Sequence, residues 1–139
     1  MSLLGVDPGG RRIGLAVGDP ATGVAVPVAV VEVTSLAAAA ELVCGEATKR
    51  QVVVVVVGLP TDEEGRETPA CRRSHRLAGL LSAAGLEVRL QPELLSSHEA
   101  SRRARDAGRR TGTPIDDLAA QVLLEDFMAA AATSSRRPR

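Results

Sequence analysis

Aromatic side chains are nearly missing from this 139-residue chain, which has one Phe, no Trp and no Tyr. That weighs against a surface on which nucleic-acid bases stack on rings, and leaves the sugar–phosphate backbone as the target of any such surface. Lysine is equally scarce. Lys49 is the only one, so arginine carries nearly all the positive charge, and its planar fork matches phosphate bidentately. The two cysteines, Cys44 and Cys71, fit neither a metal-knuckle spacing nor a disulfide framework, and read as small hydrophobes in a reducing compartment. No apolar run reaches the roughly 18 residues of a membrane span, and no charged leader precedes an apolar stretch. The expectation is a cytoplasmic protein with no membrane partner. Neither sign of charge dominates, with 17 Lys and Arg against 17 Asp and Glu. Attraction to a polyanion must then come from local clusters.

What is present is 45% hydrophobic residues, enough for one folded domain with its own core, expected over residues 1–132 with a loose basic tail at 133–139. "SLLGVDP" and "RRIGLAVGD" read as strands joined by a glycine turn, and "GVAVPVAVVEV" as a third strand. Pro27 makes that third strand an edge, because proline donates nothing to a ladder. Short connections predict an antiparallel meander. A helix follows from "TSLAAAAELVCGEATKRQ", with Thr34 or Ser35 as cap. Val52–Val57 shows no alternation and reads as a strand buried on both faces, reached by a helical crossover and parallel to a meander strand. "GLPTDEEGRETP" reads as a loop. "ACRRSHRLAGLLSAAG" is an amphipathic helix with Leu77, Leu80 and Leu81 inward. A fifth strand, "LEVRLQPE", precedes a helix capped by Ser96 or Ser97. A last helix begins at Thr113–Pro114, with Ile115, Ala119, Val122, Leu123 and Phe127 as its stripe. The order is βββαβαβαα, an α/β five-stranded mixed sheet (a three-stranded meander plus two parallel strands) flanked by helices.

Three carboxylates stand at element edges in separate segments: Asp7, where an apolar run breaks into a glycine turn, Glu93 at the end of the fifth strand, and Asp116 in the first turn of the last helix, beside Asp117. Hard cations such as Mg²⁺ take oxygen ligands, often one or two carboxylates with water and substrate phosphate. Two such ions activate water and stabilise the leaving oxygen in phosphodiester hydrolysis. Taken singly, each acid also has an ordinary explanation: a turn-capping Asp before "PGG", a surface Glu, an Asp that suits any helix N-terminus.

Four segments, in order and at compatible intervals, together resemble the YqgF family of Holliday-junction-resolvase-like and pre-16S rRNA nuclease proteins. They are "GVDPGGRRIGLAVGD", "VVVVGLPTDEEG", "VRLQPELLSSHEA" and "IDDLAAQVLLEDFM". The resemblance implies an RNase H-like fold with the first strand central between the second and fourth. It also implies that Asp7, Glu93 and Asp116 are the catalytic, metal-binding acids for Mg²⁺ or Mn²⁺. Arg12 matches the family's arginine, and Gly9, Gly14, Gly58, Pro60 and Gly65 match its turn positions. Pro92 stands where the family usually has Asp and Leu94 where it usually has Arg, which removes one phosphate contact beside the site. The implied substrate is structured nucleic acid, a 16S rRNA precursor or branched DNA, and a symmetric junction suits a homodimer.

Arg11, Arg12 and the helix arginines Arg102, Arg105 and Arg109 are the candidates for backbone contact, the last three at spacings of three and four, although Glu99 and Asp106 make a solvated, ion-paired face an equal reading. Arg72, Arg73 and Arg76 form a second, weaker cluster. His98 lacks the second histidine of a zinc-protease motif, His75 reads as exposed, and Asp62 is a reserve ligand. Two other functions stay open: a non-catalytic nucleic-acid-binding module, and an actin- or sugar-kinase-like ATP binder, for which 139 residues are short and no second phosphate loop occurs.

Overall fold

A computed structural model describes residues 2–94 and 118–135. β1 (Leu3–Pro8), β2 (Arg12–Asp19) and β3 (Val24–Glu32) form the expected meander. α1 (Leu36–Lys49) crosses to β4 (Val54–Thr61), and α2 (Cys71–Ala83) leads to β5 (Glu87–Leu94). A further helix, α3 (Ala119–Ser135), closes the described chain. The sheet order is β3-β2-β1-β4-β5, with β1 antiparallel to β2 and parallel to β4, and β4 parallel to β5. β1 therefore sits at the centre.

Both edge strands carry a proline, Pro27 in β3 and Pro92 in β5, where an outward position needs no amide. Pro27 pairs with Ala16, and Val28 next to it is skipped in the register, an irregularity of β3. α1 starts as the sequence predicts: Ser35 Oγ accepts the Ala38 amide at 3.0 Å.

The valine run lacks alternation because both faces of β4 are covered. Val55 and Val57 join Leu4, Val6, Leu77 and Leu81 under α1 and α2, while Val56 joins Leu3, Leu123 and Leu124 under α3. Each fully buried Val or Leu contributes about 1.5–3 kcal/mol over its exposed state.

Several expectations shift. β4 starts at Val54, with Val53 exposed, and continues through "GLPT", so the loop begins only at Asp62. Pro60 is tolerated there because it lies past the end of β1. Gly14 and Gly58 lie inside strands rather than in turns. Leu80 and Val122 are largely exposed, because the buried arcs run through Leu77–Leu81 and through Ala120, Leu123, Leu124 and Met128. α3 extends to Ser135, three residues into the stretch read as a tail. The expected helix after Ser96, and the start of the last helix at Thr113, lie outside the described residues.

α3 also covers part of the open edge of β3. Glu125 Oε2 accepts the Ala25 amide at 3.2 Å, and Gln121 Nε2 donates to the Ala25 carbonyl at 3.0 Å. Two side chains one turn apart thus supply what a neighbouring strand would. Among the described residues no helix is long and apolar enough to cross a membrane.

Candidate active site at the carboxyl end of the sheet

Asp7 is the penultimate residue of β1 and only 8% exposed. Side chains alternate along a strand. Leu4 and Val6 face α1 and α2, so Asp7 faces the α3 side together with Leu3 and Gly5. Both of its neighbours on that face are glycines. Gly14 is its register partner on β2. On β4, a Cβ added to Gly58 would stand 3.9 Å from Asp7 Oδ1 and 2.9 Å from Leu123 Cδ2. Neither flanking position contributes a side chain of its own, and Leu123 of α3 fills the space over Gly58. Leu123 is thus the reason that position 58, expected in a turn, is glycine.

The turn after β1 is closed by main chain, with the Gly9 amide donating to the Asp7 carbonyl at 3.1 Å. A Cβ on Gly9 would lie 2.8 Å from the Arg12 carbonyl oxygen, so the tight return requires glycine. Arg11 is exposed in this turn. Arg12 is half-buried at the start of β2, two residues before Gly14 and on the same face, which makes it a diagonal neighbour of Asp7.

Glu93 is the penultimate residue of β5. The pairs Val6↔Val57 and Val57↔Leu90 set Asp7 level with Gln91, so Glu93 lies two residues further along and two strands away. Ideal strand spacings put the two Cα atoms roughly 12 Å apart. Val88 packs under α1 and α2, so the odd-numbered residues of β5, Glu93 among them, face the α3 side as Asp7 does. Glu93 Oε1 is shut off from solvent, and the Glu93 carbonyl accepts the Thr61 hydroxyl at 3.2 Å.

α3 reaches this end of the sheet with its N-terminus. A Cβ on Gly5 would come within 3.1 Å of the Ala120 carbonyl oxygen, whereas Met128 meets Gly18, which pairs with Leu3 at the opposite end. Asp116 and Asp117 lie outside the described residues, as do His98, Arg102, Arg105 and Arg109. Among the described residues no three His, Cys, Asp or Glu side chains gather as a metal cage. What these residues do bring together is two carboxylates on one face at one end of the sheet.

Asp62, the reserve ligand, is committed to its own loop. Its Oδ1 accepts the amides of Arg66 at 2.8 Å and Glu64 at 3.0 Å, and its Oδ2 accepts Arg66 Nε at 3.1 Å. The backbone bond from Arg66 is the main reason its carboxyl titrates below the ordinary 3.8, with the Arg66 guanidinium and the Glu64 amide adding to it.

Sequence reasoning missed a set of supports behind the site. Ser74, fully buried on α2, donates to the Gly58 carbonyl at 2.7 Å. Thr68 Oγ1 and Cys71 Sγ both donate to the Pro60 carbonyl, at 2.7 and 3.1 Å. The only signal in the sequence is that Ser74 falls on the inward arc of α2, with Cys71, Leu77 and Leu81. His75 is exposed as expected, with Nε2 2.6 Å from Glu67 Oε1.

The profile of a family described as "RuvX: Holliday junction resolvase" matches residues 1–130. The chain belongs to the RuvX family. Two relatives whose names describe a pre-16S rRNA nuclease extend the match over nearly the whole length. That of Anaeromyxobacter dehalogenans (strain 2CP-1) is 40% identical, covering 92% of this chain and 96% of its own. That of Opitutus terrae is 37% identical, covering 92% and 91%. In three dimensions this RuvX-family chain shares the RNase H-like fold of Thermus thermophilus RuvC. The TM-score is 0.58 at 16% identity, covering 96% of this chain and 97% of that one. The same RuvC in complex with a Holliday junction substrate gives 0.55 at 18% identity, covering 95% and 96%.

Proposed function

We propose that this protein is a metal-dependent nuclease of structured nucleic acid, with its centre at the carboxyl end of β1, β4 and β5. The observation that carries the reading is the placement of Asp7: a buried carboxylate between two glycines, facing the same side as Glu93. A carboxylate at the carboxyl end of the central strand, on the same face as Glu93, is placed to ligate a cation. The donor set suits a hard cation, for which one or two carboxylates are enough when water and phosphate complete the shell. In this reading Asp7 and Glu93 hold Mg²⁺ or Mn²⁺. Asp116, three positions before α3 in sequence, is the third acid. When bound, such ions supply an activated water and charge stabilisation for the leaving oxygen.

The chain's own residues have simpler tasks. Asp7 is held by the central strand, and its orientation is fixed by the β1–β2 ladder. Thr61 ties the end of β5 to β4 at Glu93. Arg11 and Arg12, with Arg102, Arg105 and Arg109, hold the phosphate backbone so that one phosphodiester lies over Asp7. The family description and the names of the relatives favour two substrates: the 5′ end of a 16S rRNA precursor, and a branched DNA of the Holliday type. The first puts the protein in the cytoplasm. The second suits two copies of the chain about a twofold axis.

The test is cleavage of a labelled four-way DNA junction and a labelled 16S precursor RNA with Mg²⁺, Mn²⁺ or EDTA. Wild type cuts at least one of them with metal and neither in EDTA. Asp7→Asn, close to isosteric, loses more than the ~100-fold typical of outer-shell changes at metal sites. Undiminished cleavage by Asp7→Asn sinks the mechanism, and binding without any cleavage favours a non-catalytic module.

A further inference from the structure

The first turns of α2 carry a cationic surface that the proposed nuclease centre does not use. Residues 71–83 contain Arg72, Arg73, Arg76 and His75 and no carboxylate. Arg72 and Arg76 are exposed, one turn apart on the outer face, and Arg73 is partly buried between them and the sheet, with its Nε shut off from solvent. Cations at this end of a helix oppose its macrodipole, and three together repel one another. Of the acids in the preceding loop, Asp62 and Glu64 are engaged by Arg66 and Glu67 by His75, while Glu63 is exposed and pairs with none of the α2 arginines. Among the described residues none of the three arginines of α2 forms an ion pair. Cations crowded against a helix N-terminus, with no ion-pair partner among the described residues, are arranged for an anion from outside.

Their position says which anion. Ser74 locks α2 to the Gly58 carbonyl, and Cys71 locks it to the Pro60 carbonyl. Gly58 in turn borders Asp7. The arginines thus stand on a rigid mount at the same end of the sheet as Asp7 and Glu93, on the other side of β4.

We propose that Arg72, Arg73 and Arg76 form a second phosphate-binding surface, which grips the nucleic-acid substrate's backbone away from the cleaved bond. It rests on the nuclease reading for the identity of the polyanion, but not for its test. Fluorescence anisotropy in EDTA, across a salt series, would measure binding of a labelled four-way DNA junction and a labelled 16S precursor RNA. The Arg72→Gln/Arg76→Gln variant changes only exposed side chains and should melt as wild type does. Losing two phosphate contacts lowers the slope of log K against log[salt] by about 1.8, or roughly 60-fold in affinity at 0.1 M relative to 1 M salt. Adding Arg73→Gln lowers the slope further. Arg72→Lys/Arg76→Lys retains most of it, because the charge remains. In cleavage assays KM rises while kcat at saturation stays within about twofold. The substrate arm that shows the loss identifies DNA or RNA. An unchanged slope on both, or a fall in kcat with KM unchanged, overturns the proposal. Failure of Asp7→Asn to affect cleavage would overturn the nuclease mechanism and leave this binding result standing.

Discussion

Ser74→Ala is the sharpest probe of how the site is held. The hydroxyl is fully buried and donates to the Gly58 carbonyl at 2.7 Å. Alanine deletes the donor and creates almost no cavity, so the cost is that of the lost bond plus an acceptor left dry, about 1–3 kcal/mol. Alanine's better helix propensity returns up to about 0.5 kcal/mol. The expected net loss is roughly 0.5–3 kcal/mol. With an unfolding entropy of about 2.1 cal/mol/K per residue, 139 residues give close to 0.3 kcal/mol/K, so Tm falls by roughly 2–10 °C. Urea unfolding should show a lower midpoint at unchanged slope, because the surface exposed on unfolding is the same. Ser74→Thr, which keeps the hydroxyl, should recover part of the loss. A Tm within 1 °C of wild type for Ser74→Ala would refute the reasoning, since it would mean that the Gly58 carbonyl has another partner or is wet.

Leu124, on the inward face of α3, is fully buried against the sheet and would touch a Cβ placed on either Gly5 or Gly18. Leu124→Ala should cost about 2–5 kcal/mol in chemical denaturation, and a loss under 1 kcal/mol would mean that α3 is not docked as described. Asp62 binds its proton less readily in the folded loop than in the unfolded chain, so its contribution to loop order is fully present above pH 3.8 and fades as pH falls through its lowered folded value. Proteolysis of the 62–67 loop should accelerate in that acid window for wild type. In Asp62→Asn it should be fast and flat with pH, and a steep pH profile there would count against the assignment.

How much of this was legible beforehand depended on how far each cause reaches. The meander, the Ser35 cap and the doubly buried valine strand follow from turn glycines, a capping hydroxyl and β-branched runs, all short-range chemistry. Asp7 stood out because a carboxylate interrupts an apolar strand. That Glu93 shares its face did not follow from spacing; it needed the parallel β1–β4 and β4–β5 registers to set both there. Gly58 looked like a turn residue because its reason to be glycine is Leu123, 65 positions away. The strand character of "GLPT" was hidden for a similar cause, since Pro60 is acceptable only past the end of β1. Leu80 and Val122 were misplaced because a helix's inward arc is set by its partners, and apolar identity alone leaves the phase open by one position. The donors to Gly58 and Pro60 come from a helix whose packing had to be seen.

Gln121 and Glu125 clasp Ala25, and they are synthesised nearly a hundred residues after the strand they shield. Until α3 has left the ribosome, the outer side of β3 at Ala25 has an unmet amide and carbonyl next to exposed Val24 and Val26, an invitation to other nascent chains. Messages truncated before codon 119 should therefore give a product that clumps rather than a quieter version of the enzyme. α3 thus shields, from within the same chain, an edge that is made long before it.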